Sequence, residues 1–175
     1  HQDLTYWGLD RADEVTLWVA LSPATVASGC MRFVPGSHRE RILPHADSFG
    51  ADNLLSRGQE LAVAVDEAQA VDVTLAPGQA SLHHGHLFHA SGPNTTGDRR
   101  IGAAIRYITP AMRARSGPAT EVALATGEDR FGHFAIVPPP RSRMDAADFA
   151  AVAADIERRE TILYEGAAEA GNRQS

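Results

Sequence analysis

A chain of 175 residues suits one domain with one core, and a hydrophobic share of 43% is that of an ordinary globular protein. A net charge of −6 with no basic stripe argues against a nucleic-acid partner, and no apolar run approaches the roughly 18 residues of a membrane span. The one cysteine, Cys30, excludes an internal disulfide and tilts the location toward a reducing cytoplasm.

The chain opens on His1-Gln2-Asp3, which sets an imidazole and a carboxylate two residues apart, on one side of an extended segment. With a candidate ligand at its first position and no initiator Met, the chain reads as N-terminally truncated. Tyr6 and Trp7 follow, as substrate-side or rim residues. Residues 14–21, EVTLWVAL, alternate Val15, Leu17, Val19 and Leu21 against Thr16, Trp18 and Ala20, the pattern of a half-buried strand. A second short strand runs through Met31 and Phe33 and closes in a Pro35-Gly36 turn. His38 reads as a turn histidine tied to nearby backbone. Residues 39–60 are polar and irregular, with one helical turn around Asn53–Leu55. Leu61–Val65 and Val71–Leu75 are further strands around an acidic Asp66-Glu67 turn.

Residues 78–106 are the organising stretch: a histidine-rich strand, a sharp Ser-Gly-Pro-Asn turn and a second strand. From Arg100 the alternation sets Arg100, Gly102, Ala104 and Arg106 on one face and Ile101, Ala103, Ile105 and Tyr107 on the other. Two guanidiniums separated by small side chains suit an interior that holds a small anion. Arg106 is either an ion-pair partner or an anchor for an acidic substrate. Of the four histidines, His89 precedes the turn; His84 and His86 are expected to pack or to support the site, and His83 to face away.

Glu121–Ala125 allows one more strand, and GEDRFGHF at 127–134 reads as a loop over a ligand or on the surface. Pro138-Pro139-Pro140 marks a boundary. Asp145 then caps a helix whose Phe149, Val152, Ile156 and Leu163 share one face. The expected layout is a β core over 1–140, a helix over 141–164 packed on it, and a disordered tail over 165–175. Short strands with Gly and Pro turns make the chain mainly β, a jelly roll or related barrel with a C-terminal helix.

His1, Asp3 and His89 together compose a two-histidine, one-carboxylate set with open positions for iron. H-Q-D at 1–3, TLWVAL at 16–21, GCMRFVPGSH at 29–38 and HASGPN followed by Arg100 resemble the phytanoyl-CoA dioxygenase family, from the first residue to about Ile108. That family belongs to the iron(II)- and 2-oxoglutarate-dependent oxygenases. The resemblance implies a double-stranded β-helix, cupin-like, with His1, Asp3 and His89 as the catalytic iron ligands. It implies Arg100 as the partner of the distal carboxylate of 2-oxoglutarate, with Gln2, Trp18 and Ser91 touching that cosubstrate. Dioxygen is the oxidant it implies, and a small organic molecule the substrate to be hydroxylated. A non-catalytic cupin-like binding module lacks a need for the full set, and a halogenase of the same fold needs a small residue where Asp3 stands. A copper site braced by the His1 amine is a third alternative that nothing else in the chain resembles.

Overall fold

The computed structural model describes residues 1–47, 59–115 and 121–163. The chain divides into two compact units, His1–Thr5 with Ala12–Ile108, and Tyr6–Arg11 with Thr109–Ser175. Among the described residues, no helix is long and apolar enough to cross a membrane.

The first unit is built on two three-stranded antiparallel sheets. In one, β1 (Glu14–Ala20) lies between β6 (Ala80–His83) and β8 (Gly102–Ile108). In the other, β2 (Met31–Phe33) lies between β5 (Val71–Val73) and β7 (His89–Ser91). Their inner faces meet: the rings of Phe33 on β2 and His83 on β6 stand 5.0 Å apart, and those of His83 and His89 5.4 Å. A hairpin of β3 (His45–Asp47) and β4 (Gln59–Leu61) occupies part of the stretch expected to be irregular; the helical turn expected at 53–55 lies outside the described residues.

The histidine-rich strand is not continuous. It ends at His83 and resumes at His89 in the other sheet, so residues 84–88 form a crossing. Gly85 is the reason. Its N–H donates to the Glu14 carboxylate, and its carbonyl accepts from Leu4 N at 3.2 Å. A Cβ there would stand 2.7 Å from both Glu14 Oε1 and Leu4 Cγ. Backbone groups that a strand would give to a ladder instead hold Glu14 and the first residues of the chain.

The burial of β1 also inverts the ordinary pattern. Glu14, Thr16 and Ala20 are buried, whereas Val15, Leu17 and Val19 are half-buried. On the same outer face, Leu82 is 68% exposed, and Ile105 and Tyr107 are exposed. The interior of this unit is mixed, with Glu14, Thr16 and His83 buried beside Leu4, Met31 and Leu87.

In the second unit, Leu9 bridges Ala114, with Asp10 N donating to Arg113 O at 3.0 Å. A short β9 (Glu121–Val122) pairs parallel with β10 (Ala135–Ile136), shorter than the strand expected over 121–125. Met112 and Phe134 are buried, and the His133 ring meets Met112 O at 3.0 Å. The helix α1 (Ala146–Leu163) starts where the cap is expected: Asp145 Oδ1 accepts from Ala147 N at 2.9 Å and Asp148 N at 3.2 Å. Arg158 anchors it to β9 through Glu121 at 2.7 Å. Phe149, Val152 and Ile156 do share a face, but each is more than half exposed. The tail over 165–175 lies outside the described residues.

Candidate active site

His1 is brought to β7 by backbone pairing: its nitrogen donates to His89 O at 2.9 Å, and His89 N donates to His1 O at 3.2 Å. Residues paired in this way project side chains to one face. Asp3 follows two residues later, at the start of a 3-10 turn over Asp3–Tyr6. The result is a cluster of His1, Asp3 and His89 with one ligand atom of each within 4.8 Å of the others. His1 Nε2 stands 3.4 Å from Asp3 Oδ1, and His89 Nε2 stands 3.5 Å from the same oxygen.

The chemistry of this set fits a cation. His89 Nδ1 meets Leu87 O at 2.9 Å, so it carries the proton and leaves Nε2 as a lone pair. That lone pair faces a carboxylate oxygen, an arrangement of two acceptors that a positive ion relieves. Two ligand atoms at right angles, each about 2.1 Å from one ion, lie about 3 Å apart, close to the spacing here. Burial holds His89 uncharged, with the field of His1 acting the same way, so that its pKa falls to about 4. For Asp3 burial works upward, but contacts from His1 and His83 and the field of His89 outweigh it and keep the carboxyl well below its usual range. At neutral pH the set therefore includes a neutral His89 imidazole and an ionised Asp3 carboxylate.

Arg100 leads into β8 and stands beside two of its expected companions. Its Nη1 donates to Ser91 Oγ at 3.4 Å, and its guanidinium carbon lies 5.5 Å from the centre of the Trp18 ring. Trp18 needs Gly102: a Cβ at that position would stand 2.0 Å from Trp18 Cζ2. Thr16 pairs with His83, and Trp18 follows two residues on, about 7 Å along the strand. Trp18, which carries Arg100 over its ring, thus shares a face of β1 with Thr16, the partner of His83.

Gln2, expected from the resemblance to touch the cosubstrate, has its side-chain amide bonded to backbone. It is fully buried; Nε2 donates to Arg41 O at 3.2 Å and His86 O at 2.9 Å, and Oε1 accepts from Leu43 N at 2.9 Å. Its amide is engaged by backbone and ties three segments together. His84 is likewise engaged: its Nδ1 accepts from His86 N at 3.0 Å and its Nε2 meets Ala12 O at 2.9 Å. His38 contributes a ring contact to His84, with centres 6.1 Å apart.

His83 corrects the expectation that it faces away. It is 5% exposed, and its Nε2 lies 3.8 Å from Asp3 Oδ2, the oxygen opposite the one that faces His1 and His89. A signal for it was present: counting in twos back from His89 reaches Leu87, Gly85 and His83, all buried.

The family model for phytanoyl-CoA dioxygenase (PhyH) matches residues 1–102. The chain belongs to that family. The PhyH family lies within the iron- and 2-oxoglutarate-dependent oxygenases, and its jelly roll is the fold of this mainly antiparallel chain. A phytanoyl-CoA dioxygenase domain-containing protein 1 homolog of Caenorhabditis elegans is 31% identical over 115 residues, covering 62% of this chain and 39% of the relative. Among solved structures, the non-heme monooxygenase ThoJ in its apo form is 40% identical, with a TM-score of 0.80 over 94% of this chain and 59% of ThoJ. The epimerase SnoN, solved in complex with Fe3+, alpha ketoglutarate and nogalamycin RO, is 26% identical, with a TM-score of 0.54 over 81% of this chain and 54% of SnoN. This PhyH chain thus spans about two fifths of the curated relative and under two thirds of either solved protein.

Proposed function

We propose that the protein is an iron(II)- and 2-oxoglutarate-dependent dioxygenase that hydroxylates a small organic substrate. The observation that carries this reading is the convergence of His1, Asp3 and His89 within 4.8 Å, on the inner side of a unit whose β8 begins beside Arg100. His1 Nε2, Asp3 Oδ1 and His89 Nε2 would hold the iron. Bound there with 2-oxoglutarate, iron supplies the oxidation in which dioxygen and 2-oxoglutarate give succinate, carbon dioxide and a hydroxylated substrate.

The chain's own residues do the rest. The Leu87 carbonyl fixes the His89 tautomer so that Nε2 is free to bind. Arg100 offers two parallel N–H donors to the far carboxylate of the cosubstrate, while Ser91 and the Trp18 face keep the guanidinium in place. The Asp3 carboxylate holds the position that a halogenase leaves to a halide, which supports hydroxylation. SnoN, with iron and alpha ketoglutarate, adds weight to the same cofactor pair. A reducing cytoplasm suits both iron(II) and the single free thiol of Cys30.

Anaerobic addition of iron(II) and 2-oxoglutarate to the protein tests the reading. The expected result is a weak visible charge-transfer band, and conversion of 2-oxoglutarate to succinate once oxygen is admitted. Turnover that persists unchanged in EDTA removes the iron assignment; a module that binds 2-oxoglutarate without ever forming succinate is a binding protein instead.

A further inference from the structure

Five buried side-chain atoms among the described residues have no hydrogen-bond partner: Thr5 Oγ1, Glu14 Oε2, Thr16 Oγ1, Ser81 Oγ and His83 Nδ1. Buried polar atoms are seldom left so, because each unmet hydrogen bond is a desolvation cost with no return. Two of them belong to residues paired across neighbouring strands. Thr16 and His83 are direct partners across β1 and β6, and both are almost wholly buried, at 2% and 5% exposure. Side chains so paired have Cβ atoms roughly 5 Å apart.

The two orphans are complementary. His83 Nε2 lies 3.8 Å from Asp3 Oδ2, so the proton belongs on Nε2, where it faces the carboxylate, and Nδ1 is left as an acceptor. The Thr16 hydroxyl is a donor whose hydrogen rotates freely. Ser81 lies two residues further along β6, about 7 Å from His83, and pairs with Trp18 instead. Glu14 Oε2 lies two residues from Thr16 on the same face; burial raises that carboxyl, against the Gly85 N–H.

We propose that Thr16 and His83 form a buried relay that orients Asp3: the Thr16 hydroxyl donates through one buried water to His83 Nδ1, and His83 Nε2–H points at Asp3 Oδ2, 3.8 Å away, and closes on it when the carboxylate takes up a metal. Held at Oδ2, the carboxylate presents Oδ1 alone to His1 and His89. The inference deepens the iron reading and rests on it, since it concerns how one ligand of that set is aimed. His83 is a positioning residue, and Thr16 positions His83. Phe33 closes the far side, its ring 5.0 Å from that of His83, so the imidazole has little room to turn.

The test combines histidine-labelled NMR of the metal-free protein with cobalt(II) titration, comparing the parent with Thr16→Val, Thr16→Ser and His83→Phe. In the parent, long-range nitrogen–proton correlation is expected to show His83 protonated at Nε2. Thr16→Val removes the donor at nearly constant shape; the tautomer preference should weaken and cobalt(II) affinity fall roughly tenfold, the lower end of what outer supports of metal ligands contribute. His83→Phe should lose roughly tenfold to hundredfold and alter the cobalt absorption band. Thr16→Ser keeps the hydroxyl and should restore the parent tautomer and affinity. A merely structural pair would lower the melting temperature and leave the band and the affinity of the folded protein unchanged.

A parent that shows Nδ1–H at His83 overturns the relay, even if no variant folds. So does Thr16→Val with an unchanged tautomer and cobalt affinity. A parent that takes up no cobalt(II) overturns the metal reading instead, and is distinguished by a His83 tautomer that still responds to Thr16→Val.

Discussion

His1 and His89 exchange both of their backbone hydrogen bonds, at 2.9 and 3.2 Å, although 88 residues separate them. Their rings then stand 4.1 Å apart, centre to centre. The spacing of two proposed ligands is thus set by strand pairing and not by side-chain flexibility. Because side chains alternate along a strand, a slip of one residue would present Ala90 in place of His89.

Replacing Asp3 by Ala removes one proposed ligand and its charge. Iron(II) affinity should fall by at least tenfold, and succinate formation should collapse. The surroundings of Asp3, with His83 at Oδ2, are shaped for a carboxylate, so product analysis in chloride buffer should find no chlorinated product from the parent or the variant. Full hydroxylation by Asp3→Ala would remove Asp3 from the ligand set.

Arg100→Lys keeps the charge and loses the planar, two-point contact. The apparent 2-oxoglutarate constant should rise by an amount equivalent to about 1–3 kcal/mol, the worth of a hydrogen bond to a charged group, with iron affinity little changed. An unaltered constant would make Arg100 a structural residue and turn attention to Arg106, which shares its face of β8.

Gly102→Ala places a methyl group 2.0 Å from Trp18 Cζ2, too close for the indole to stay where it is. Overpacking of this kind costs about 1–3 kcal/mol of stability. Because Trp18 flanks Arg100, the 2-oxoglutarate constant should rise as well, while iron binding holds. Parallel melting curves and cosubstrate titrations check both halves.

The metal-free protein should lose stability as the solution is acidified from about pH 6.5 to 4. His89 has a folded pKa of about 4 against an ordinary 6.5, so between these values the unfolded chain binds the extra proton and acid favours unfolding. The sign is therefore stability rising with pH across that window. The full effect of this one group is on the order of 3 kcal/mol. His89→Gln should flatten that part of the curve, measured by denaturant midpoints at a series of pH values.

Much of this was legible in the chain. Alternation located β1 and β8, Pro-Gly and Ser-Gly-Pro-Asn marked the turns, and Asp145 announced the start of α1. What alternation hid was which face turns inward. Hydrophobic patterning assumes an apolar interior, and here Glu14 and Thr16 are buried while Leu82 is exposed. The split of the histidine-rich strand was hidden for a related reason: nothing local says that Gly85 N–H will be claimed by a carboxylate 71 residues away. What Gln2 ties together was hidden as well, because its partners, Arg41, Leu43 and His86, are set by tertiary structure alone.

The two spacings that build the site differ in how they tolerate a change of length. The linker from Gly92 to Arg99 is exposed throughout, and the Arg100 end is re-anchored beyond it, where Leu21 N and Ser22 N both donate to Ile101 O. Thr95 ties the middle of that linker to Ala27 O, and an added residue between Thr95 and Arg99 would leave the guanidinium in position. The crossing from His84 to Phe88 has no such slack, since Gly85 is pinned to Glu14 and Leu4, Leu87 O holds His89, and Phe88 is bonded to Val34 and Ser37. It behaves as a ruler of fixed length between two sheets, and a single inserted or deleted residue would part His83 from His89 while leaving both strands intact.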